Sequence, residues 1–241
     1  ELVFAAFSGS HQDAINKCLA MRKEGEPWEV AYLPIDPRDL GRKYQEVIRI
    51  NSQSGKGGVA YILNQQHGIK MPRWLQVDFS RVVQNEAERT ETEVSGEQIY
   101  DLFCDTYLLN NEHSVHAADK ISLESYQVSR ADGLDTVNAQ IKQDNCEYQI
   151  IGSGRGALEA FVDGLSQQLG VRFVIIDYNE HTLGKNEGSE AIAYVQISIE
   201  NQRVCGVGQS RDILNATVNA VLSAVTRSGI TSIKQHRKFG T

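Results

Sequence analysis

Two stretches of this chain repeat each other, and that repeat restricts the fold more than any other feature. Tyr148-Gln149-Ile150-Ile151-Gly152-Ser153-Gly154 leads into an apolar-periodic run at 157–169, and Arg203-Val204-Cys205-Gly206-Val207-Gly208 leads into another at 213–226. Each copy reads as a strand, Gly-x-Gly, then an amphipathic helix. Two strand-like stretches precede each copy, 121–128 and 136–142 before the first, 171–178 and 191–199 before the second. The chain therefore carries two consecutive βββα units. A three-stranded sheet covered by one helix leaves apolar surface open. Two such units packed together close it, and their symmetry favours a self-complementary dimer surface.

Upstream the pattern is helical. In 10–21, Ala14, Ile15, Cys18 and Leu19 fall on one face, with Ser8 or Ser10 as the cap, and Lys23-Glu24-Gly25-Glu26-Pro27 stops the helix. Residues 30–37 are extended, because Pro34 and Pro37 push the residue before each out of the helical region. Asp36-Pro37-Arg38-Asp39 then opens another helix, with Asp36 as cap and Pro37 in the first turn. Helices follow at 75–88, with Leu75, Val77, Phe79, Val82 and Val83 inward, and at 96–108, with Ile99, Leu102 and Phe103 inward. Residues 109–120 are polar and read as a linker. The fold class is α+β: helical subdomains over 1–108, the linker, then the paired βββα domain over 121–241.

Composition narrows the partners. With 24 Lys+Arg against 31 Asp+Glu, the net charge is -7, which argues against a nucleic-acid partner. The basic tail Lys234-Gln235-His236-Arg237-Lys238 reads as a solvated end. No run approaches the ~18 apolar residues of a membrane span. Cys18, Cys104, Cys146 and Cys205 are scattered, without a Cys-x-x-Cys pair, and read as reduced thiols in a cytoplasmic protein. The opening Glu1-Leu2-Val3-Phe4 lies in an apolar run, as expected of a cut through a longer protein.

Three motifs carry possible chemistry. Ser8-Gly9-Ser10-His11-Gln12-Asp13 places a histidine at a helix start behind small residues, where an imidazole can exchange a proton with a close ligand. Asn51-Ser52-Gln53-Ser54-Gly55-Lys56-Gly57-Gly58 fails the phosphate-loop spacing, so it is either a plain mobile loop or one whose amides and Lys56 meet an anion. Gly152-Ser153-Gly154-Arg155-Gly156 sits between strand and helix, either as a tight structural turn or as amides aimed at a carboxylate. His113 and His116 lack a third ligand, so no metal site is expected from this chain.

Taken together, Phe7 to Ile15, Tyr32-Leu33-Pro34-Ile35-Asp36-Pro37 and Asn51 through Tyr61 resemble, in order and spacing, the region that follows the barrel in 2-isopropylmalate synthases. The resemblance continues through Gly152 to Phe161, Asp177-Tyr178-Asn179-Glu180-His181 and Gly206-Val207-Gly208, over nearly the whole chain. It implies part of an acyltransferase that condenses acetyl-CoA with 2-oxoisovalerate in leucine biosynthesis and is inhibited by leucine. The family's (β/α)8 barrel is absent from the sequence, and with it the ligands of a divalent metal (zinc, manganese or magnesium), so this chain alone is expected to be inactive. The resemblance marks His11 and Tyr32 as catalytic residues, His11 as base or orienter in a partner subunit's site. It makes the C-terminal domain a homodimer-forming sensor of L-leucine. By position, Gly152, Ser153, Gly154, Leu158, Asp177, Tyr178, Ala191 and Ala193 are the expected leucine pocket. Two other readings compete: a free-standing amino-acid-binding module, which would have no need of the His11 and Tyr32 stretches, and a citramalate or homocitrate synthase, against which the Asn51–Gly58 stretch leans.

Overall fold

The computed structural model describes residues 9–23, 25–41, 56–107, 120–143, 146–184 and 189–230. The chain divides into two compact units, Glu1–Thr106 and Tyr107–Thr241.

The first unit is helical: α1 (Gly9–Met21), a 3-10 turn (Pro37–Leu40), α2 (Lys56–His67), α3 (Arg73–Thr90) and α4 (Gly96–Thr106). The inward face of α1 lies where the periodicity puts it, with Ile15 buried and Cys18 and Leu19 packed against Val30, Leu33 and Trp28. Asp36 caps the 3-10 turn by accepting from the Arg38 amide, but the helix expected to follow ends after four residues. Gly41, at φ 69, sends its N–H back to the Arg38 carbonyl and closes the turn, as a left-handed glycine does at a helix end.

Helix α2 was not legible in the sequence. Lys56-Gly57-Gly58, read as loop, form its first turn, and Val59, Tyr61, Ile62 and Leu63 are buried behind them. Each helical glycine costs ~1 kcal/mol against alanine, so burial of this apolar run must offset the local preference. Residues 51–55, the tail 231–241 and the linker histidines lie outside the described residues. Phe79 of α3 meets Phe103 of α4 edge-on, ring centroids 5.2 Å apart, and Ser95 and Gln98 cap α4 reciprocally, side chain to amide in both directions. Val77, Val82 and Leu102, expected inward, are half-buried. Helix α4 stops at Thr106, and Tyr107 belongs to the second unit: its carbonyl accepts from the Ser223 hydroxyl and its ring lies under the Arg227 guanidinium.

The second unit contains two antiparallel three-stranded sheets, each followed by a helix. β1 (Ser122–Ala131), β2 (Leu134–Gln143) and β3 (Cys146–Gly154) precede α5 (Ala157–Leu169); β4 (Phe173–Leu183), β5 (Glu190–Ile199) and β6 (Gln202–Ser210) precede α6 (Ile213–Arg227). Both sheets and both helices contribute to one core, including Val137, Ile141, Ile150, Phe161, Leu165, Val195, Ile197 and Val221. α6 lies between β6 of its own sheet and β1 of the other: the Tyr126 hydroxyl reaches the cap Asp212, and the Ile121 amide donates to Thr226. This explains why α6 is buried almost all round.

The Gly-x-Gly pairs are parts of strands. Gly152 pairs with Val137, Gly154 with Asp135, Gly206 with Val195 and Gly208 with Ala193. Their role is close approach of a helix. A Cβ on Gly154 would stand 2.6 Å from the Ala160 amide nitrogen, and one on Gly206 would overlap the Ala220 carbonyl and meet Ala224 Cβ at 2.8 Å. The two copies differ in reach. β6 continues two residues past Gly208 to Ser210, whereas β3 stops at Gly154. The contact residue Ala224 lies one helical turn further from its N-cap Asp212 than Gly164 does from Gly156. Two residues of strand (~6.6 Å) and one turn of helix (~5.4 Å) compensate, so the packing is preserved.

Candidate functional site

On α1 the side chains of His11, Ile15, Cys18 and Arg22 recur at i, i+4, i+7 and i+11, so one stripe continues just past the helix end. The segment 28–33 lies along this stripe. Val30, Leu33 and Trp28 pack on its middle, and the Arg22 guanidinium sits 4.9 Å from the Trp28 ring centroid. At the N-terminal end, His11 and Tyr32 stack, with ring centroids 4.1 Å apart and 24° between planes. The two residues singled out in the sequence, 21 positions apart, are thus one element of structure. Stacking uses the ring faces and leaves the edge nitrogens of His11 out of the contact. Both side chains are exposed, Tyr32 to 62%. The pair is presented outward.

Tyr32 also departs from ordinary backbone geometry. The Leu33 amide donates to the Val30 carbonyl, closing a four-residue turn with Tyr32 in third position at φ 63. Glycine or asparagine normally occupies that position, because a Cβ there crowds the backbone. An exposed tyrosine held in such a conformation points to a role for its ring. Tyr32→Gly is expected to leave thermal stability within about 1 kcal/mol, since relief of ~1–2 kcal/mol of left-handed strain offsets the greater unfolded-state freedom of glycine. The His11–Tyr32 contact goes with it. Differential scanning calorimetry checks the first part, and a large loss of stability would mean that the ring supports the fold.

The helical unit holds a second stacked pair outside the sequence expectations. His67 lies on Tyr100 at 3.7 Å with planes 4° apart. Burial lowers the His67 pKa against the opposing pull of Asp101, and burial raises the Cys104 thiol. Among the described residues no group of three or more His, Cys, Asp or Glu could hold a metal ion.

The expected leucine residues divide by face and by exposure. Gly152 and Gly154 face α5 at close approach, and Ala191 and Ala193 are buried in the shared core. Tyr178 lies on the α6 side of its sheet, its hydroxyl 3.0 Å from that of Thr217. A bulge between Ile175 and Asp177 shifts the register so that Asp177 pairs with Gln196, and as the neighbour of Tyr178 in the strand Asp177 faces the other way. Ser153 and Asp177 are exposed and Leu158 is half-buried. The amides read as a carboxylate cradle are engaged: the Ser153 N–H donates to Asp163 and the Arg155 N–H to Glu159. A carboxylate ligand would have to displace both side chains. Thr217 and Asp212, next to Tyr178 and Tyr126, are not among the expected site residues, the sequence marking Thr217 only as inward on its helix; the packing of β1 and β4 near α6 brings them there.

Comparison with known proteins divides the chain earlier than its compact units do, since the second match takes in α4. Residues 1–64 match the model of the alpha-isopropylmalate synthase, post-catalytic domain-like family, and residues 93–228 match the LeuA allosteric (dimerisation) domain. The chain is 45% identical over 229 residues to the 2-isopropylmalate synthase of Pseudomonas syringae pv. syringae (strain B728a), covering 95% of this chain and 39% of that protein. It is 42% identical to the 2-isopropylmalate synthase of Kineococcus radiotolerans, covering 95% of this chain and 41% of that protein. To the Brucella suis biovar 1 enzyme it is 41% identical, over 94% of this chain and 41% of the relative. The chain thus spans about two fifths of the length of the curated relatives it matches.

Proposed function

This chain belongs to the 2-isopropylmalate synthase family, whose LeuA allosteric (dimerisation) domain it carries, and from that premise we propose that it serves as active-site cover and leucine sensor of such a synthase, a transferase. The reaction is condensation of acetyl-CoA with 2-oxoisovalerate, on a barrel carried by another part of the protein. The observation that carries the reading is the outward-facing His11–Tyr32 stack on the segment matched to the post-catalytic family.

Carbon–carbon bond formation needs a proton removed from the acetyl methyl group. A base must come within about 3 Å of that proton's carbon, with its lone pair directed at it. An imidazole held by its face keeps its orientation while an edge nitrogen reaches the substrate. His11 takes the methyl proton, or orients the group that does, and Tyr32 fixes the ring. The resulting carbanion equivalent adds to the ketone carbon, and thioester hydrolysis releases CoA. A divalent metal would polarise the keto acid in this chemistry, and the described residues offer it no ligand set.

The unit Tyr107–Thr241 pairs two chains into a homodimer and binds L-leucine. Tyr178 and Leu158 supply open surface for an isobutyl side chain, and the hydroxyls of Tyr178 and Thr217 supply polar partners. Leucine inhibits by favouring a state in which the first unit no longer presents His11 to the substrate, since an effector acts only through unequal affinity for two states. The four cysteines are free, as fits the cytoplasm, and no helix among the described residues is long and apolar enough to cross a membrane.

Calorimetric titration of the chain with L-leucine, with L-valine and L-isoleucine as controls, tests the sensor. Selective binding of leucine in the micromolar to sub-millimolar range is expected. No heat from any of the three, with a folded dimer, would remove leucine as the effector.

A further inference from the structure

We propose that Trp28 is a positioning residue, whose indole N–H holds the turn that keeps Tyr32 against His11. The Trp28 Nε1–H donates to the Leu33 carbonyl at 2.6 Å, a short bond to the residue directly after Tyr32. The Leu33 amide is tied to Val30 at 3.1 Å, so the two peptide groups that flank Leu33 are each held by a hydrogen bond, and neither rotates without breaking one. Two sides then fix Trp28 itself. Its ring packs with Ile15, Val30 and Leu33, and the Arg22 guanidinium lies over it. A tyrosine at positive φ relaxes to ordinary backbone angles unless its neighbours prevent it. Here the neighbour is a rigid aromatic donor with two rotatable bonds, anchored to the helix that carries His11.

The far side of the same segment is closed on itself by a local turn. Asp36, 6% exposed, accepts from the Arg38 amide at 2.9 Å and from the Arg38 guanidinium at 2.9 Å. The span from Trp28 to Arg38 thus carries a hydrogen-bonded turn on either side of Pro34, with Tyr32 projecting from the first. The Asp36 turn is too far along the chain to set the Tyr32 turn, whereas Trp28 bonds the residue that closes it.

This inference rests on the reading of His11 and Tyr32 as an active-site pair, so its test is made in two settings. In the chain itself, stacking on Tyr32 shifts the His11 ring C–H resonances upfield by ring current. Tyr32→Ala is expected to abolish that shift, and Trp28→Phe, which keeps an apolar ring but removes the donor, to abolish most of it. In the full-length synthase, Trp28→Phe is expected to lower kcat about tenfold, the equivalent of one hydrogen bond. KM for acetyl-CoA stays near its original value. In the Tyr32→Ala background, Trp28→Phe should cost nothing further, as expected of residues acting through one another.

A His11 shift unchanged by Trp28→Phe, or losses that multiply in the double variant, would overturn the role of Trp28. Full turnover in both His11→Ala and Tyr32→Ala would overturn the active-site reading instead, while the resonances still decide the positioning. Should Trp28→Phe fail to fold, the unaltered chain decides: the Trp28 indole proton must exchange with solvent more slowly than a free indole, and fast exchange sinks the proposal.

Discussion

Replacing His11 by alanine in the full-length synthase is expected to lower turnover by roughly 10²–10⁴-fold, the range for a positioned acid–base group. The structure makes this a clean experiment. The His11 side chain is exposed and its contact is the face of Tyr32, so truncation opens no cavity in the core formed by Ile15, Val30 and Leu33. Thermal stability should therefore stay within ~0.5 kcal/mol, as for surface substitutions in general. Turnover and calorimetry on the same preparation separate chemistry from folding. A kcat close to that of the unaltered enzyme would exclude His11 from the mechanism. A kcat reduced only together with melting temperature would make it a structural residue.

The largest stability effect is expected at Gly206. Helix α6 approaches β6 so closely that even one methyl group would overlap the Ala220 carbonyl and crowd Ala224. Both obstacles belong to α6, which is buried almost all round, so relief requires the helix to move as a body through a packed core. Gly206→Ala is expected to cost about 3 kcal/mol, the upper range for overpacking. That corresponds to roughly 10 °C in the melting of a unit this size. Gly156 provides the control. Nothing lies within 4 Å of a Cβ there, and as N-cap of α5 it makes no side-chain cap bond. Gly156→Ser should leave stability unchanged or raise it by a few tenths of a kcal/mol. Equal melting temperatures for Gly206→Ala and the unaltered chain would refute the close-packing account.

The two glycines also show what a sequence conceals. Gly-x-Gly before a helix reads equally well as a turn, an anion cradle or a strand end. In this fold the strands run through the motif, because the helix behind it needs a surface without side chains. The same ambiguity hid α2. Lys56-Gly57-Gly58 carries weak local preference, and the buried run Val59 to Leu63 overrides it only once neighbouring helices are present. The Asp36 helix failed in the opposite way. Its start signals were sound and its cap is in place, but Gly41, five residues after that cap, ends it.

For the site, residue types were legible and partnerships were not. A histidine at a helix start and a Tyr-Leu-Pro-Ile-Asp-Pro stretch stand out along the chain. That they stack depends on the stripe from His11 to Arg22, against which the segment from Trp28 to Leu33 lies. The residues expected to form a leucine pocket show the converse. Strict alternation counted from Ile175 would put Asp177 on the α6 side, but the bulge between Ile175 and Asp177 shifts the register by one residue and puts Tyr178 there instead, beside Thr217.

By itself, then, the sequence determined the duplicated βββα architecture, the inward face of α1 and the residue types offered at the candidate site. Those features follow from periodicities of two and 3.6 residues and from local capping, which act over a few neighbours. Tertiary structure alone decided which strand passes beside which helix, how near the glycines bring them, and that Tyr32 is held at positive φ over His11. Each of these depends on contacts between segments distant in sequence, where burial of a shared core outweighs local preference.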